Sequence, residues 1–315
     1  MTRQIRGYVL AMIEIPRGAR VYGIQLPIQS KSKTFVADWE LSATPADLAR
    51  VTRTADEHGY FYVAVCDHIA IPESLGSTMG TYWQDCITTL SWLGAQTERT
   101  ALLSHAYVLP YRHPLVAAKE FATLDYLSGG RAIVGIGAGH VEAEFNALGV
   151  DHARRGKLVE EKLPPLIEAL EQEFVDGLGS QPRPVQSPRP PVWIAGSSPA
   201  AIRRAATYGD GWLPQGPSNR EMVAKLQAQR DEHGRADRPM MIGDITPFLY
   251  VGTPSWDVGD GVLSGAPGDI AEQILADTAE GVNQVQVRFK ARSCDEICDQ
   301  MAAFGTEVAP ILATI

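Results

Sequence analysis

The chain has 315 residues, 45% of them hydrophobic and 21% charged, which allows a large core and excludes a disordered protein. Its 37 acidic and 28 basic side chains give a net charge of −9 without a basic cluster, so we expect no nucleic-acid partner. The four cysteines lack C-x-x-C spacing and a secretory context, which predicts a cytoplasmic protein with reduced thiols and no metal site.

The predicted elements begin after an N-terminal extension, residues 1–20, which we expect to cover one end of the fold as an extra strand or helix. Its apolar run, GYVLAMIEI, is too short to span a membrane, and no signal-peptide cleavage site follows it. The run VYGIQLP then predicts a first strand, and the helical period that starts at Pro45 and ends at Gly59 predicts a first helix. YFYVAVCDH predicts a second strand that is buried on both faces.

The same strand–helix unit repeats along the rest of the chain. Further strands are predicted at ALLSHAYVLP, AIVGIGAG, VWIAGS, GWLP, MIGDITPFLYVG and VNQVQVRFK. The proline-rich stretch at 173–191 is predicted to be a loop, because the βα pattern resumes directly after it. Eight βα units predict a single domain over residues 1–315, an α/β (β/α)8 TIM barrel with insertions after the strands at its C-terminal face. Two packed doubly wound domains are the alternative.

In such a barrel the functional residues gather at the C-terminal ends of the strands and in the loops that follow. The polar residues and glycines that the sequence places there are Gln25, Asp67, His68, Ser104, His105, Gly137 to His140, Gly196 to Ser198, Gln215, Arg288 and Lys290. Because the strand ends open onto one mouth, we expect these residues to converge on a single site.

Two histidines in predicted strands need an explanation. His68 follows Asp67 at the end of a buried strand, where an imidazole can donate a proton to a cofactor or substrate; a structural histidine is the alternative. Asp67 would orient that ring or contact a cofactor itself. His105 interrupts an apolar strand, so either it has a partner or the strand bulges there, since burying an unpaired imidazole is costly.

The segment AGSSPAAIRR is the best candidate for binding an anion. A strand stops at Gly196, Ser197 and Ser198 follow, and a helix begins at Pro199. Backbone N–H groups and hydroxyls at a helix N-terminus suit a phosphate, and the arginine pair at 203–204 could add positive potential. Ordinary capping of the helix is the alternative.

The glycine-rich strand end GIGAG, residues 135–139, is not a dinucleotide fingerprint, because His140 stands where a further glycine would be needed. Small residues at Gly137, Ala138 and Gly139 predict either tight packing of the strand on the next helix or the close approach of a planar group. We expect a flat cofactor to lie across this strand end and the preceding one.

Longer runs of the chain resemble a known family. These runs are DHIAIPES, LPYRHPLVAAKEFATLDYLSGGRAIVGIGAG, EAEFNALGVDHARRGKLVEE and PVQSPRPPVWIAGSSPAAIRRAATYGDGW. They closely resemble the luciferase-like monooxygenase superfamily, and most closely its F420-dependent oxidoreductase branch. The resemblance implies a (β/α)8 barrel that binds coenzyme F420 or, in sister branches, reduced FMN. It also implies a homodimer.

The resemblance implies roles for individual residues as well. Family members have a bulge with a non-prolyl cis peptide in the third strand, behind the cofactor ring, and the matching bond here is Ser104–His105. Further cofactor contacts match Asp67, Tyr107, Ala138, Gly139, Ser197 and Ser198. The histidine that matches His68 is the proposed proton donor in the sugar-phosphate dehydrogenases of the family.

Two departures from those dehydrogenases concern the substrate. They have a carboxylate where this chain has His140, and a lysine for the substrate phosphate near Ser218, so we do not expect glucose 6-phosphate to be the substrate. We predict hydride transfer between F420 and a small, apolar or aromatic substrate, with His68 or His140 handling the proton. The predicted substrate contacts are Gln25, Trp83, Trp212 and Gln215, and the loops at 28–44 and 69–81 are predicted lids. The alternatives are an FMNH2-dependent monooxygenase and a non-catalytic protein that binds a flavin or deazaflavin.

Overall fold

Eight parallel strands form a closed barrel in a computed structural model that describes residues 10–16, 18–32 and 36–313. In chain order they are β1 (Val21–Gln25), β2 (Tyr62–Val65), β3 (Ala101–Ser104, continued by Tyr107–Val108), β4 (Ala132–Gly137), β5 (Val192–Ala195), β6 (Gly211–Leu213), β7 (Met241–Val251) and β8 (Gln284–Phe289). Each strand pairs with the next one along the chain, and β8 pairs with β1. The predicted (β/α)8 barrel is therefore confirmed.

Helices follow the strands and cover the outside of the barrel. They are α1 (Pro45–Glu57), α2 (Glu73–Met79), α3 (Cys86–Gly94), α4 (Pro114–Ser128), α5 (Glu142–Ala147), α6 (Arg155–Glu171), α7 (Pro199–Tyr208), α8 (Arg220–Glu232), α9 (Pro267–Asp277), α10 (Cys294–Ala303) and α11 (Ala309–Ala313). A π-helical turn, Phe304–Val308, separates α10 from α11. Over the described part of the chain, none of these helices is both long and apolar enough to cross a membrane.

Helix α1 shows how local sequence sets an element's limits. Thr44 precedes the helix in extended conformation and its hydroxyl accepts a hydrogen bond from the backbone N–H of Asp47, while Pro45 occupies the first turn. Leu48 and Val51 lie on the buried face, as their spacing predicts.

Two apolar layers hold the barrel together. The outer layer packs between strands and helices, and the inner layer fills the N-terminal half of the barrel with side chains such as Tyr62, Leu103, Ile133, Trp193 and Met241. Polar side chains also face inward: Gln284, at the start of β8, donates to the Tyr62 hydroxyl at 2.6 Å, and Gln286, one row further along, lies 3.5 Å from Gln25. The inside of the barrel therefore carries polar as well as apolar side chains.

The N-terminal segment lies at the opposite end of the barrel from the mouth. Leu10–Ala11 pairs in parallel with Gln186–Ser187, and Ile15 packs into the inner apolar layer. Residues 1–9 and 17 of the predicted extension lie outside the described residues. The proline-rich stretch contains a short hairpin, Phe174–Val175 with Leu178–Gly179, before the strand at 186–187.

Two barrel strands bulge near their C-terminal ends. In β3, three residues lie between the pairs Leu103–Ile133 and Tyr107–Ile136, whereas β4 has two residues there. In β7, two residues follow Ile245 before pairing with β8 resumes at Phe248, and β8 has one residue in the same interval. Bulges of this kind occur next to active sites, where they redirect side chains.

Candidate active site at the barrel mouth

The β3 bulge begins one residue later than predicted. Ser104 still pairs with Val65 of β2, and its hydroxyl bonds to both the carbonyl and the N–H of Gly135, at 2.9 and 3.0 Å. Because these bonds hold Ser104 in the sheet, the chain leaves register only after it. The non-prolyl cis peptide joins His105 to Ala106, and the predicted position at Ser104–His105 is wrong.

The imidazole of His105 lies at the bulge. Its Nδ1 atom is buried and has no hydrogen-bond partner among the described residues. Burial, partly opposed by a hydrogen bond with Gln286, lowers the pKa of His105 to about 4, so the ring is neutral at ordinary pH. Both possibilities raised by the sequence, a bulge and a polar neighbour, are present here.

A buried carboxylate holds the other strand-end histidine. The Glu144 side chain on α5 is 1% exposed, and its Oε2 lies 3.0 Å from His68 Nδ1. Its Oε1 accepts the backbone N–H groups of Ile69 and Ala70, at 2.6 and 3.1 Å. Burial alone would raise the pKa of Glu144, but the hydrogen bonds from His68 and Ile69 outweigh it and lower the pKa. Glu144 is therefore an ionised hydrogen-bond acceptor.

Three aromatic rings meet at the mouth around His68. The Trp83 ring lies 4.4 Å from that of His68 at 55°, and the His140 ring lies 5.5 Å away at 88°. Partial burial and the neighbouring His68 lower the pKa of His140, whose side chain still reaches the surface. The structure thus brings together both predicted catalytic histidines and one predicted substrate contact, Trp83.

Asp67 and Tyr107, two predicted cofactor contacts, lie behind this surface. Asp67 is 3% exposed, pairs with the Arg112 guanidinium and accepts the N–H of Val108 at 2.8 Å. Burial alone would lower the pKa of Arg112, but the ion pair with Asp67 raises it. Tyr107 is fully buried and its hydroxyl contacts Glu120 of α4 at 2.5 Å. Neither side chain reaches the mouth; both brace the strand from outside the barrel.

Each glycine of the GIGAG segment is required for a different structural reason. A Cβ on Gly135 would lie 1.9 Å from the carbonyl oxygen of Ser104, so this glycine makes room for the bulge. Gly139 has φ +77°, and a Cβ there would meet Phe145 of α5, which is the packing explanation that the sequence left open. Gly137 and Ala138 lie half-buried at the mouth, and a Cβ on Gly137 would lie 3.0 Å from that of Ala106.

The predicted anion site joins β5 to α7. Gly196 has φ +116°, Ser198 caps α7 by accepting the N–H of Ala201 at 3.2 Å, and Ser197 is tied to the next strand end. The Ser197 hydroxyl donates to the carbonyl of Gln215 at 3.2 Å and accepts a hydrogen bond from the N–H of Gln215 at 2.8 Å. Capping, the alternative reading, is thus present, and Ser198 remains exposed.

Three further side chains do not take their predicted places. Trp212 is fully buried in the outer apolar layer, with its indole N–H on the carbonyl of Gly196 at 2.8 Å, because β6 turns it towards the helices. It cannot touch a ligand at the mouth. The side chains of Arg203 and Arg204 both pair with Glu160 of α6, so they are committed away from the α7 N-terminus.

The other predicted substrate contacts differ in exposure. Gln215 is exposed after β6, whereas Gln25 lies inside the barrel with its amide against the thiol of Cys66. Sequence reasoning missed Glu144 altogether. The available signal was an acidic residue in a short helix directly after the glycine-rich strand end, where a helix can turn a side chain back over the mouth.

Known proteins share this architecture. A family model described as luciferase-like monooxygenase matches residues 25–253. The F420-dependent glucose-6-phosphate dehydrogenase of Beutenbergia cavernae is 31% identical over 217 residues, which cover 64% of this chain and 62% of that protein. The chain thus spans less than two thirds of that relative's length, and it spans 56% of an uncharacterized Sinorhizobium fredii protein that is 29% identical over 199 residues.

Two solved structures have the same fold. An F420-dependent secondary alcohol dehydrogenase in complex with an F420–acetone adduct gives a TM-score of 0.70 at 14% identity, covering 93% of this chain and 99% of that chain. The oxygenating constituent of 3,6-diketocamphane monooxygenase from Pseudomonas putida, in complex with FMN, gives 0.71 at 15% identity with the same coverage. Since the family match also covers most of the sequence, this chain belongs to the luciferase-like monooxygenase family, as its motifs predicted.

Proposed function

We propose that this protein is an F420-dependent oxidoreductase that transfers a hydride between C5 of the deazaflavin and a small, apolar or aromatic substrate. The observation that carries the proposal is a small-residue wall, Ala106 with Gly137, beside an imidazole, His68, that a buried carboxylate holds at the mouth. The relative that is 31% identical is F420-dependent, which supports F420 over FMN.

The residues at the mouth fit a flat ring system. A side chain larger than hydrogen at Gly137 would fill the space against Ala106, and the unpartnered Nδ1 of His105 offers a polar atom at the same bulge. The hydroxyl of Ser198, with the N-terminus of α7, would hold the cofactor phosphate, while Ser197, whose hydroxyl already donates to the carbonyl of Gln215, would fix the position of this loop. When bound there, F420 would supply the hydride donor or acceptor.

The proton that accompanies the hydride is assigned to His68. Because the ionised Glu144 accepts from Nδ1–H, the Nε2 atom is the one that exchanges a proton with the substrate. The same carboxylate would stabilise the imidazolium after His68 takes up a proton, so the pair can work in either direction of the reaction. His140, exposed and three residues beyond Gly137, is the second candidate for this role.

Two loops would exclude water from this site. Ser30 forms a β-bridge with Trp83. On either side of it, the N–H of Lys31 donates to the carbonyl of Tyr82 at 3.1 Å, and the N–H of Gln84 donates to the carbonyl of Gln29 at 3.0 Å. The predicted lid at 28–44 is thus joined to residues 82–84, directly after the predicted lid at 69–81, and Trp83 lies beside His68; residues 33–35 lie outside the described range. Such joined loops would open and close together.

A binding titration tests the cofactor. We expect reduced F420 to bind with micromolar or better affinity, and His68→Ala to retain binding but lose hydride transfer. A matched control is His113→Ala, since His113 caps α4 on the outside of the barrel. Binding of neither F420 nor FMN would contradict the proposal.

The second candidate is an FMNH2-dependent monooxygenase, which is favoured by the likeness to the FMN-bound Pseudomonas putida structure. Tight binding of FMN without F420, together with oxygen consumption in the presence of reduced FMN, would establish it instead. Binding without turnover of any kind would favour the non-catalytic alternative.

We also propose a homodimer, which is supported by exposed apolar side chains at both ends of α4. Leu115, Val116, Tyr126 and Leu127 are between 39% and 70% exposed. Light scattering coupled to size exclusion measures the mass directly, and a mass of 34.2 kDa would mean a monomer.

A further inference from the structure

Arg288 points into the barrel mouth from β8. Val285, Val287 and Phe289 belong to the outer apolar layer, whereas Gln284 and Gln286 contact Tyr62 and Gln25 inside the barrel. Because side chains alternate along a strand, Arg288 continues the inner row and lies one layer above Gln286. It is half-buried at this position.

The order of strands places this arginine across the mouth from the small-residue wall. Strands follow one another around the barrel in chain order, so β8 is four strands away from β4 in either direction. A flat group against Gly137 would therefore have Arg288 on the far side of the space above it. A substrate between the two would meet the cofactor with one end and the arginine with the other.

The β7 bulge holds the guanidinium in place. The bulge turns the carbonyl of Thr246 towards Arg288, and this oxygen accepts hydrogen bonds from Nε at 2.9 Å and Nη2 at 2.6 Å. A guanidinium has five N–H donors, so the Nη1 edge retains donors for a ligand. The cation is thus oriented before any ligand arrives, which favours recognition of a planar anion.

A second cation shares the same aromatic neighbour. The Arg288 guanidinium lies 4.7 Å and the Lys290 ammonium 4.5 Å from the ring centre of Phe248. Within the described ranges, neither cation has a carboxylate within 4 Å, whereas Arg292, two residues further on, is paired with Glu296. Two neighbouring like charges without a counter-ion, in a chain of net charge −9, are expected to attract an anion.

We propose that Arg288 and Lys290 form a subsite for the carboxylate of a small organic acid, whose apolar part extends over Phe248 towards the His68 side of the mouth. The geometry matches a carboxylate, since a guanidinium edge can donate two parallel hydrogen bonds to its two oxygens. The subsite deepens the proposed function by naming the substrate as an acid, and in that respect it rests on the proposed function. It narrows the prediction of a small, apolar or aromatic substrate to one that also carries a carboxylate.

Acid–amide pairs test the subsite directly. Benzoate, phenylacetate and hexanoate are titrated against benzamide, phenylacetamide and hexanamide by calorimetry, at fixed ionic strength, with the protein loaded with whichever of F420 or FMN it binds. We expect at least one acid to bind about tenfold or more tighter than its amide, a difference typical of a charge-assisted hydrogen-bonded pair. Arg288→Gln should remove this preference and Lys290→Gln should reduce it about threefold.

The matched control is Arg53→Gln, which removes an exposed arginine on the outer surface, bonded to Gln96. It should leave the acid preference unchanged. Circular dichroism and thermal unfolding establish that Arg288→Gln is folded, and Arg288→Lys, which keeps the charge without the fork, should retain part of the preference.

Two results would overturn the subsite: acids that bind no better than their amides, and an Arg288→Gln variant that loses cofactor affinity while its acid preference stays intact. The second would assign the cation to the cofactor. If the protein binds neither F420 nor FMN, the proposed function fails, but the same titrations on the cofactor-free protein still decide whether the acid preference depends on Arg288.

Discussion

The two bulged strand ends face each other across the mouth and differ in what they present. At the β3 bulge, Ser104 bonds to Gly135, the ring of His105 is neutral, and a charged pair, Asp67 with Arg112, is buried behind the strand. At the β7 bulge, a backbone carbonyl turns inward and orients a cation that has no carboxylate beside it among the described residues. The same backbone irregularity therefore makes a neutral surface on one wall and a positively charged one on the other.

Removing the support behind the β3 bulge should have the largest effect. Asp67→Asn leaves Arg112 as a buried charge without its partner and weakens the bond to Val108, so we expect the free energy of unfolding to fall by about 3–5 kcal/mol. Urea denaturation measures it. Asp295→Asn, which removes an exposed ion pair with Arg50, is the control and should change stability by less than about 1 kcal/mol. Equal losses of unfolding free energy in the two variants would mean that the buried Asp67–Arg112 pair contributes no more to stability than the exposed pair does.

Filling the space inside the β3 bulge should cause the next largest loss of stability. Gly135→Ala would put a methyl group against the carbonyl of Ser104, and relief of this overlap requires the bulge to shift, with an expected loss of about 3 kcal/mol. Gly268→Ala is the control, because a Cβ there meets nothing within 4 Å. If Gly135→Ala were as stable as wild type and bound F420 normally, the bulge would not be held by close packing.

Removing the charge beside His68 should affect the reaction more than stability. Glu144→Gln keeps the shape but not the charge, and we expect the rate of hydride transfer to fall about tenfold to a hundredfold, with a shifted pH profile. Glu142→Gln, on the exposed face of α5, is the matched control. An unchanged pH profile in Glu144→Gln would contradict the positioning role.

The pH dependence of the unfolding free energy should also reveal the charge of Glu144. Because the pKa of Glu144 is lowered in the folded protein, its ionised form stabilises the fold above the ordinary pKa of 4.5, and this contribution disappears as the pH falls through the lowered value. The difference in unfolding free energy between wild type and Glu144→Gln should therefore narrow below about pH 4.5.

The smallest effect is expected at the β7 bulge itself. Thr246→Val removes the weak bond of the hydroxyl to the carbonyl of Gln286, at 3.4 Å, but leaves the backbone oxygen that holds Arg288. We expect a loss of no more than about 1 kcal/mol and an unchanged preference for acids. A lost preference would mean that the side chain, and not the backbone, orients the arginine.

The sequence predicted the barrel because the periods of strand and helix repeat eight times with no domain linker between them. It failed at Tyr107 for a specific reason. Ala101 and Leu103 face the inner layer, and unbroken alternation would turn Tyr107 inward as well, but the extra residue in the bulge reverses the alternation and sends it into the outer layer. A bulge depends on both paired strands, so the residues of one strand alone do not predict it.

The polar site was only partly predictable for a related reason. His68 could be found because it ends a buried strand, and Gly137 because it belongs to a glycine-rich strand end. Glu144 and Arg112 lie later in the chain than their partners His68 and Asp67, and these contacts depend on loop geometry. Trp212 was predicted to line the mouth because it is aromatic, but the alternation of side chains along β6 turns it into the outer apolar layer.

The N-terminal segment has a consequence for how ligands would exchange. Ile15 and the inner apolar layer fill the barrel at the end opposite the mouth, so cofactor and substrate would share one entrance. A ring lying deeper, against β3 and β4, would be covered by the molecule that follows it. Binding would then be ordered, with the cofactor first in and last out, and the residence time of the substrate would limit how often the cofactor could be exchanged.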